Sequence, residues 1–303
     1  MAWHNKRPWL VPLFSSGFVV LAIATTYAVS VGNGHVAPFF PYISDTGAVG
    51  VDRAVFGQLL NVSALLLAAT VQLRYVQLKE FASAVGRDRW LLLIRACTAL
   101  GHAACLGLSF IANFNELDNP RMHQFCAVLT FGAAGLYMWT QTGLSYSYFY
   151  RKNHILCHAR LALSSLATAA LATFLLAEGK AMTFGRTIAQ ALKWKLDEPG
   201  FGWHVASTLG EWAMSAFVLA YVASYACELR HAQLEPARLL FPHSDANFGL
   251  LGRPFGLTDS GVEDEFEPLL VPGNYYAIGS SRSREDKPRR AERQYGTLPS
   301  DVL

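Results

Sequence analysis

Six times within its first 230 residues the chain runs for 16 to 27 positions with at most one charged side chain. The runs are Trp9–Val31, Ala54–Leu73, Ala96–Ile111, Met122–Tyr146, Leu161–Ala177 and Phe201–Cys227, the last carrying Glu211 alone. A helix needs ~20 apolar residues to cross a hydrocarbon core, and a chain in lipid must satisfy its backbone internally. The pattern therefore predicts an all-α membrane protein with six transmembrane helices, over about 9–31, 54–73, 91–112, 122–146, 159–177 and 201–227. An even number of crossings places both termini on one side. The chain is 52% hydrophobic and 16% charged, too apolar for an ordinary soluble protein of 303 residues.

Charge divides the chain in two. Residues 1–227 hold 16 Lys/Arg and 10 Asp/Glu, whereas the last 76 hold 9 and 12. This predicts a six-helix transmembrane domain over 1–230 and a solvated tail over 231–303, rich in Gly, Pro and Ser and expected to be disordered from about Phe241. A net charge of +3, scattered between apolar runs, argues against a nucleic-acid partner. Lys6 and Arg7 could begin a signal peptide, but the apolar run after them is longer than a usual h-region and reads as a retained first helix.

Lys/Arg bias in short loops sets orientation. Lys6 and Arg7, then Arg74, Lys79, Arg87 and Arg89, then Arg151, Lys152 and Arg160 fall on one side, against Arg53 and Arg121 opposite. Both termini are thus expected in the cytosol, although the fifth loop dissents with Lys180, Arg186, Lys193 and Lys195. The five cysteines, Cys97, Cys105, Cys126, Cys157 and Cys227, avoid the far-side loops, which leaves no luminal disulfide to expect. No zinc-type spacing, metal site or cofactor motif occurs.

The first loop carries "PYISDTG": Pro41, Tyr42, Ile43, Ser44, Asp45, Thr46 and Gly47. Pro38 and Pro41 restrict the backbone, Asp45 and its hydroxyl neighbours can bond nearby amides, and Gly47 permits a tight turn. With Phe39, Phe40 and Tyr42 as boundary aromatics, the stretch reads as a rigid turn on the bilayer face or as a site for a ligand or partner.

The run P-[FY]-x-P-Y-I-S-D-T-G after a first membrane helix resembles the signature of the damage-regulated autophagy modulator (DRAM) family, within the wider FRAG/DRAM membrane-protein group. Three further stretches fit it in order: "FGQLLNVSALLLAATVQLRYVQ" (Phe56–Gln77), "ANFNELD" after the third helix, and "LKWKLDEPGFGWHVASTLGEWAMS" (Leu192–Ser215). The similarity runs from residue 9 to about 230. One departure is that some relatives resemble C-L-F-G where this chain has Ala54-Val55-Phe56-Gly57, so any role of that cysteine is missing here. The resemblance implies a multipass lysosomal or late endosomal protein that promotes or modulates autophagy, linked to stress and cell death. It implies no catalytic residues and no enzyme activity.

Other polar residues invite a role. Glu211 is the only acid inside a predicted span, and such groups usually face the bundle interior with a partner. His102 on the third helix and His204, two helical turns before Glu211, are the candidate partners, for a structural pair, a proton shuttle or a lipid headgroup site. In the fifth loop, Met182–Leu196 has an amphipathic pattern, with Phe184, Ile188 and Leu192 on one face and Trp194 as an anchor. That suits a connector helix or a lid lying in the interface. The tail holds an acidic dileucine, Glu265 with Leu269 and Leu270, and two tyrosine peptides, Tyr275 to Ile278 and Tyr295 to Leu298. Such peptides fit cytosolic sorting adaptors, and with membrane lipids and autophagy machinery these are the expected partners. Alternative readings are a lipid-handling or phosphoinositide-signalling regulator, a plasma-membrane location, and a transporter. The last lacks repeats or broken helices in matching positions.

Overall fold

The computed structural model describes residues 7–86, 88–230 and 232. Their helices are α1 (Leu10–Gly32), α2 (Gly50–Ala84), α3 (Leu91–Asn113), α4 (Pro120–Phe149), α5 (His154–Met182), the single turn α6 (Ile188–Ala191), α7 (Phe201–Ala223) and the terminal turn α8 (Ala226–Leu229). Short 3-10 turns occupy Ser44–Gly47 and Asp88–Trp90, and there is no strand among the described residues. Five helices, with α7 and α8 taken as one, are long and apolar enough to cross a membrane. The sixth long helix, α4, has 30 residues and buries Gln141, Thr142 and Ser145 in the bundle. Large apolar side chains such as Leu92 and Leu176 are more than 70% exposed on the outside, as a lipid-facing surface requires. The chain is a six-helix membrane protein.

Local chemistry explains where the helices begin. Asn119 and Asn153 cap α4 and α5, their side-chain oxygens accepting from the Met122 and Leu156 amides at 3.2 and 3.0 Å, and Pro120 supplies a preset first turn. The tightest helix pair is α5 with α7. A Cβ on Gly210 would lie 2.6 Å from the Phe174 backbone nitrogen, and the Ser207 hydroxyl donates to the Phe174 carbonyl at 2.9 Å. Small residues let the two backbones touch where lipid provides no hydrophobic drive.

Connections 33–49, 114–119 and 183–200 gather at one end of the bundle, the loop end. Residues 85–86, 88–90 and 150–153 and α8 form the other, the turn end. Two sequence expectations change here. Arg74 and Arg160, expected in loops, lie within α2 and α5 and are 0% exposed. The fifth-loop helix expected over Met182–Leu196 is reduced to α6, because Gly185 takes a left-handed φ of +71° and Thr187 restarts the chain with a capping box. Trp194 is not an interfacial anchor: it is buried, stacked near His204 with ring centroids 5.1 Å apart.

Candidate functional site

The heptapeptide does not lie on the bilayer face. It folds into the loop end of the bundle. The Pro38 carbonyl accepts from the Tyr27 hydroxyl at 2.5 Å and the Pro41 carbonyl from the Trp212 indole at 2.9 Å. Between them Phe40 takes a φ of +47°, a left-handed conformation that costs a residue with a Cβ about 1–2 kcal/mol. That bend turns the following residues inward, while Phe39 and Phe40 themselves remain exposed.

Once inside, the loop is held by long-range bonds. The Ile43 amide donates to Glu211 Oε2 at 2.8 Å. The buried Thr46 hydroxyl bonds the Ile43 carbonyl at 2.7 Å and Thr26 Oγ1 at 3.1 Å. Asn115 donates to the carbonyls of Gly47 and Ala48 at 2.9 and 3.0 Å. Gly47 seats against Phe56 so closely that a Cβ would fall 2.3 Å from the ring. Phe56, Asn115 and the Glu211–Trp212 pair belong to the three other stretches on which the family resemblance rests. Four separated segments are therefore one site.

Asp45 sits at the centre of this plug, 3% exposed. Its Oδ2 accepts from the Tyr42 amide at 3.0 Å. Burial, and the negative charge of the adjacent Glu116 carboxyl, hold Asp45 well above the usual carboxylate range. Glu116 also accepts from the Ser44 hydroxyl at 3.4 Å and stands 3.9 Å from His123 Nε2, whose Nδ1 bonds the Phe114 carbonyl at 2.8 Å.

Behind the plug opens a cavity of about 1030 Å³. Its loop end is lined by Asp45, Glu116, Glu178 and Glu211 with His123, His204, Arg121 and Arg186, and its body is apolar. Of the expected partners of Glu211, the structure brings up His204, which lines the same cavity and meets Tyr42 edge to face with centroids 5.2 Å apart. His102 is elsewhere, with Nε2 3.4 Å from Gln72 on the α2 side of α3. Glu211 is paired by a backbone amide instead. Nor is it the only acid in a span, since α5 continues to Met182 and includes Glu178.

At the turn end lies a cluster that sequence reasoning missed. Glu228 of α8 pairs with Arg74 of α2 and with Arg160 of α5, the latter through bonds of 3.0 Å to both of its carboxylate oxygens. Gln141 accepts from Arg74 at 3.1 Å and Ser145 from Arg160 at 2.8 Å. The Tyr225 ring lies between the two guanidiniums, 4.8 and 5.0 Å from their carbons. Charges placed just beyond apolar runs were the available signal, but they also match ordinary loop cations. Cys157 is buried nearby, its thiol donating to the Ser145 carbonyl at 3.4 Å, and the described cysteines are free thiols. The tail residues Glu265, Leu269, Leu270, Tyr275, Ile278, Tyr295 and Leu298 lie outside the described residues.

Six helices, a re-entrant loop and an internal cavity define a multipass membrane protein. The Frag1/DRAM/Sfk1/Cwh43P N-terminal domain profile matches residues 7–232, and the chain belongs to that family. It is 34% identical over 239 residues to human DNA damage-regulated autophagy modulator protein 2, covering 74% of this chain and 86% of that protein. The Bos taurus counterpart is 33% identical over 238 residues, with the same coverage. Human DNA damage-regulated autophagy modulator protein 1 is 31% identical over 221 residues, 72% of this chain and 87% of that one. No solved structure matches.

Proposed function

We propose that this chain is a lysosomal or late endosomal membrane protein that promotes autophagy, with links to stress and cell death, and that it acts as a regulator rather than a catalyst. The observation that carries the reading is similarity across 86% of a protein named as an autophagy modulator. The plug supports it, because all four stretches of the family resemblance meet there. With both termini cytosolic, as the Lys/Arg bias favours, the loop end faces the lumen. An acidic lumen suits Asp45, whose buried carboxyl favours its proton. The tail peptides would then meet sorting adaptors, and cytosolic loops the autophagy machinery.

Three measurements test this. A tagged chain should coincide with a lysosomal marker, and Leu269→Ala with Leu270→Ala should move it toward the cell surface. Knockout should lower autophagic flux, restored by the wild type and not by Asp45→Ala. A tail reporter protected from protease in intact organelles, or flux unchanged by knockout, would overturn the reading.

A further inference from the structure

The cavity is large, elongated and mostly apolar. Its volume of about 1030 Å³ lies at the upper end of small-molecule sites, ~300–1,000 Å³. It is long: the α4 residues that line it run from Pro120 to Met138, about 27 Å at 1.5 Å per residue. Its deep walls are apolar, with Leu67, Val71, Leu108, Met138, Val218 and Val222 contributing from four helices.

Its loop end is polar and unbalanced. Four carboxyl side chains line it, with Arg121 and Arg186 as the cations. Arg186 is committed to Glu198 at 3.0 Å, and Arg121 is exposed. Carboxyls without a counter-charge are costly in so apolar a place. Glu211, 6% exposed, lines the cavity and spends one oxygen on the Ile43 amide. Two further polar groups there are unspent. Trp194 Nε1 is buried with no hydrogen-bond partner. The His204 side chain, in a residue 4% exposed, is packed by rings, and no hydrogen bond to its ring nitrogens occurs among the described residues.

The cavity also has a side entrance. Hydrogen bonds join α4 to α5 near the turn end, Thr142 to Ser164 at 3.0 Å and Trp139 to Thr168 at 2.9 Å. Toward the loop end, Phe125 and Val128 of α4 and Leu175 and Met182 of α5 line the cavity and are exposed on the outer surface. A side chain that does both marks an opening to the membrane.

We propose that this cavity binds a single-chain amphiphile with a protonated amine head, by class a long-chain amino alcohol, which enters between α4 and α5 and sets its ammonium between Glu211 and Glu178. Its hydroxyls meet the Trp194 indole N–H and the His204 ring. A fatty acid would bring a second negative charge to this rim, and a neutral alcohol would leave the carboxyls unpaired. The site stands independently of the cellular role proposed above.

The test uses the full chain in nanodiscs with photoactivatable, clickable probes of matched chain length: a long-chain amino alcohol, a fatty acid and a fatty alcohol, together with a two-chain phospholipid probe. The amino alcohol should label α4 and α5 peptides in preference to the other three. Glu178→Gln and Glu211→Gln should each lower that labelling about ten-fold, equivalent to ~1.4 kcal/mol. Glu178 is half-buried and lies outside the plug, so its variant leaves the fold intact. Val128→Trp should block the entrance and cut labelling by every single-chain probe. Fatty acid labelling equal to that of the amine, preference for the phospholipid, or labelling insensitive to Glu178→Gln would each overturn the proposal.

Discussion

The two ends of the bundle treat buried charge in opposite ways. At the turn end, two fully buried arginines meet one largely buried glutamate, and nearly every donor finds a carboxylate, an amide oxygen, a hydroxyl or a tyrosine face. At the loop end, four carboxyl groups gather around an open cavity and depend mainly on backbone amides and neighbouring carboxyls. One end is an ionic clamp that ties α8 to α2 and α5. The other is a site left incomplete by the protein's own side chains. A membrane bundle tolerates buried charge for rigidity in the first case and for recognition in the second.

The sharpest way to break this comparison is to neutralise one acid at each end. Glu228→Gln strands two fully buried guanidiniums and should cost ~3–5 kcal/mol, seen as a large drop in the thermal midpoint in detergent. Glu211→Gln keeps an oxygen for the Ile43 amide and should change stability by no more than about 1 kcal/mol. Equal losses would show that both ends are structural clamps.

Next in size is the seat of the plug. Gly47→Ala drives a methyl into the Phe56 ring and should cost ~1–3 kcal/mol by overpacking, with partial recovery when Phe56→Leu is added. No loss in the single variant would mean that the loop is not seated against α2.

A third prediction concerns pH. The Asp45 carboxyl is raised above its ordinary value of 3.8, so the folded state holds its proton more tightly than the unfolded chain does. Its stabilising contribution is complete below that ordinary value and is lost as pH rises through the folded pKa. The thermal midpoint should therefore fall from acid toward neutral pH, and Asp45→Asn should flatten that slope. A wild-type midpoint that rises over the same range would refute an Asp45 that holds its proton in the folded state.

The smallest effect belongs to Phe40→Gly. Relief of the left-handed φ and the greater freedom of glycine in the unfolded chain oppose each other, leaving a change within about 1 kcal/mol. A large loss would show that the exposed Phe40 ring has a role beyond turning the chain.

Much of the architecture was legible from charge-free runs, because the length a helix needs in lipid is a one-dimensional property. The Asn119 and Asn153 caps were equally local. Helix continuation was not: α2 runs on to Ala84 because Arg74, the residue that seemed to end it, finds Glu228 in the bundle. The site was half visible. "PYISDTG" and Glu211 stood out separately, but the bond between them joins residues 168 positions apart. His102 and His204 looked equivalent as partners, and only the packing of α7 against the loop separated them.

The sequence by itself determined that this is an all-helical membrane chain and which segments carry its family likeness. The tertiary structure alone decided which side of each helix is interior, because lipid and protein core are almost equally apolar and the hydrophobic pattern hardly distinguishes them. Polar pairing breaks that degeneracy, and pairing depends on positions far apart along the chain. So the sequence specified the helices, and the three-dimensional arrangement specified where the charges meet.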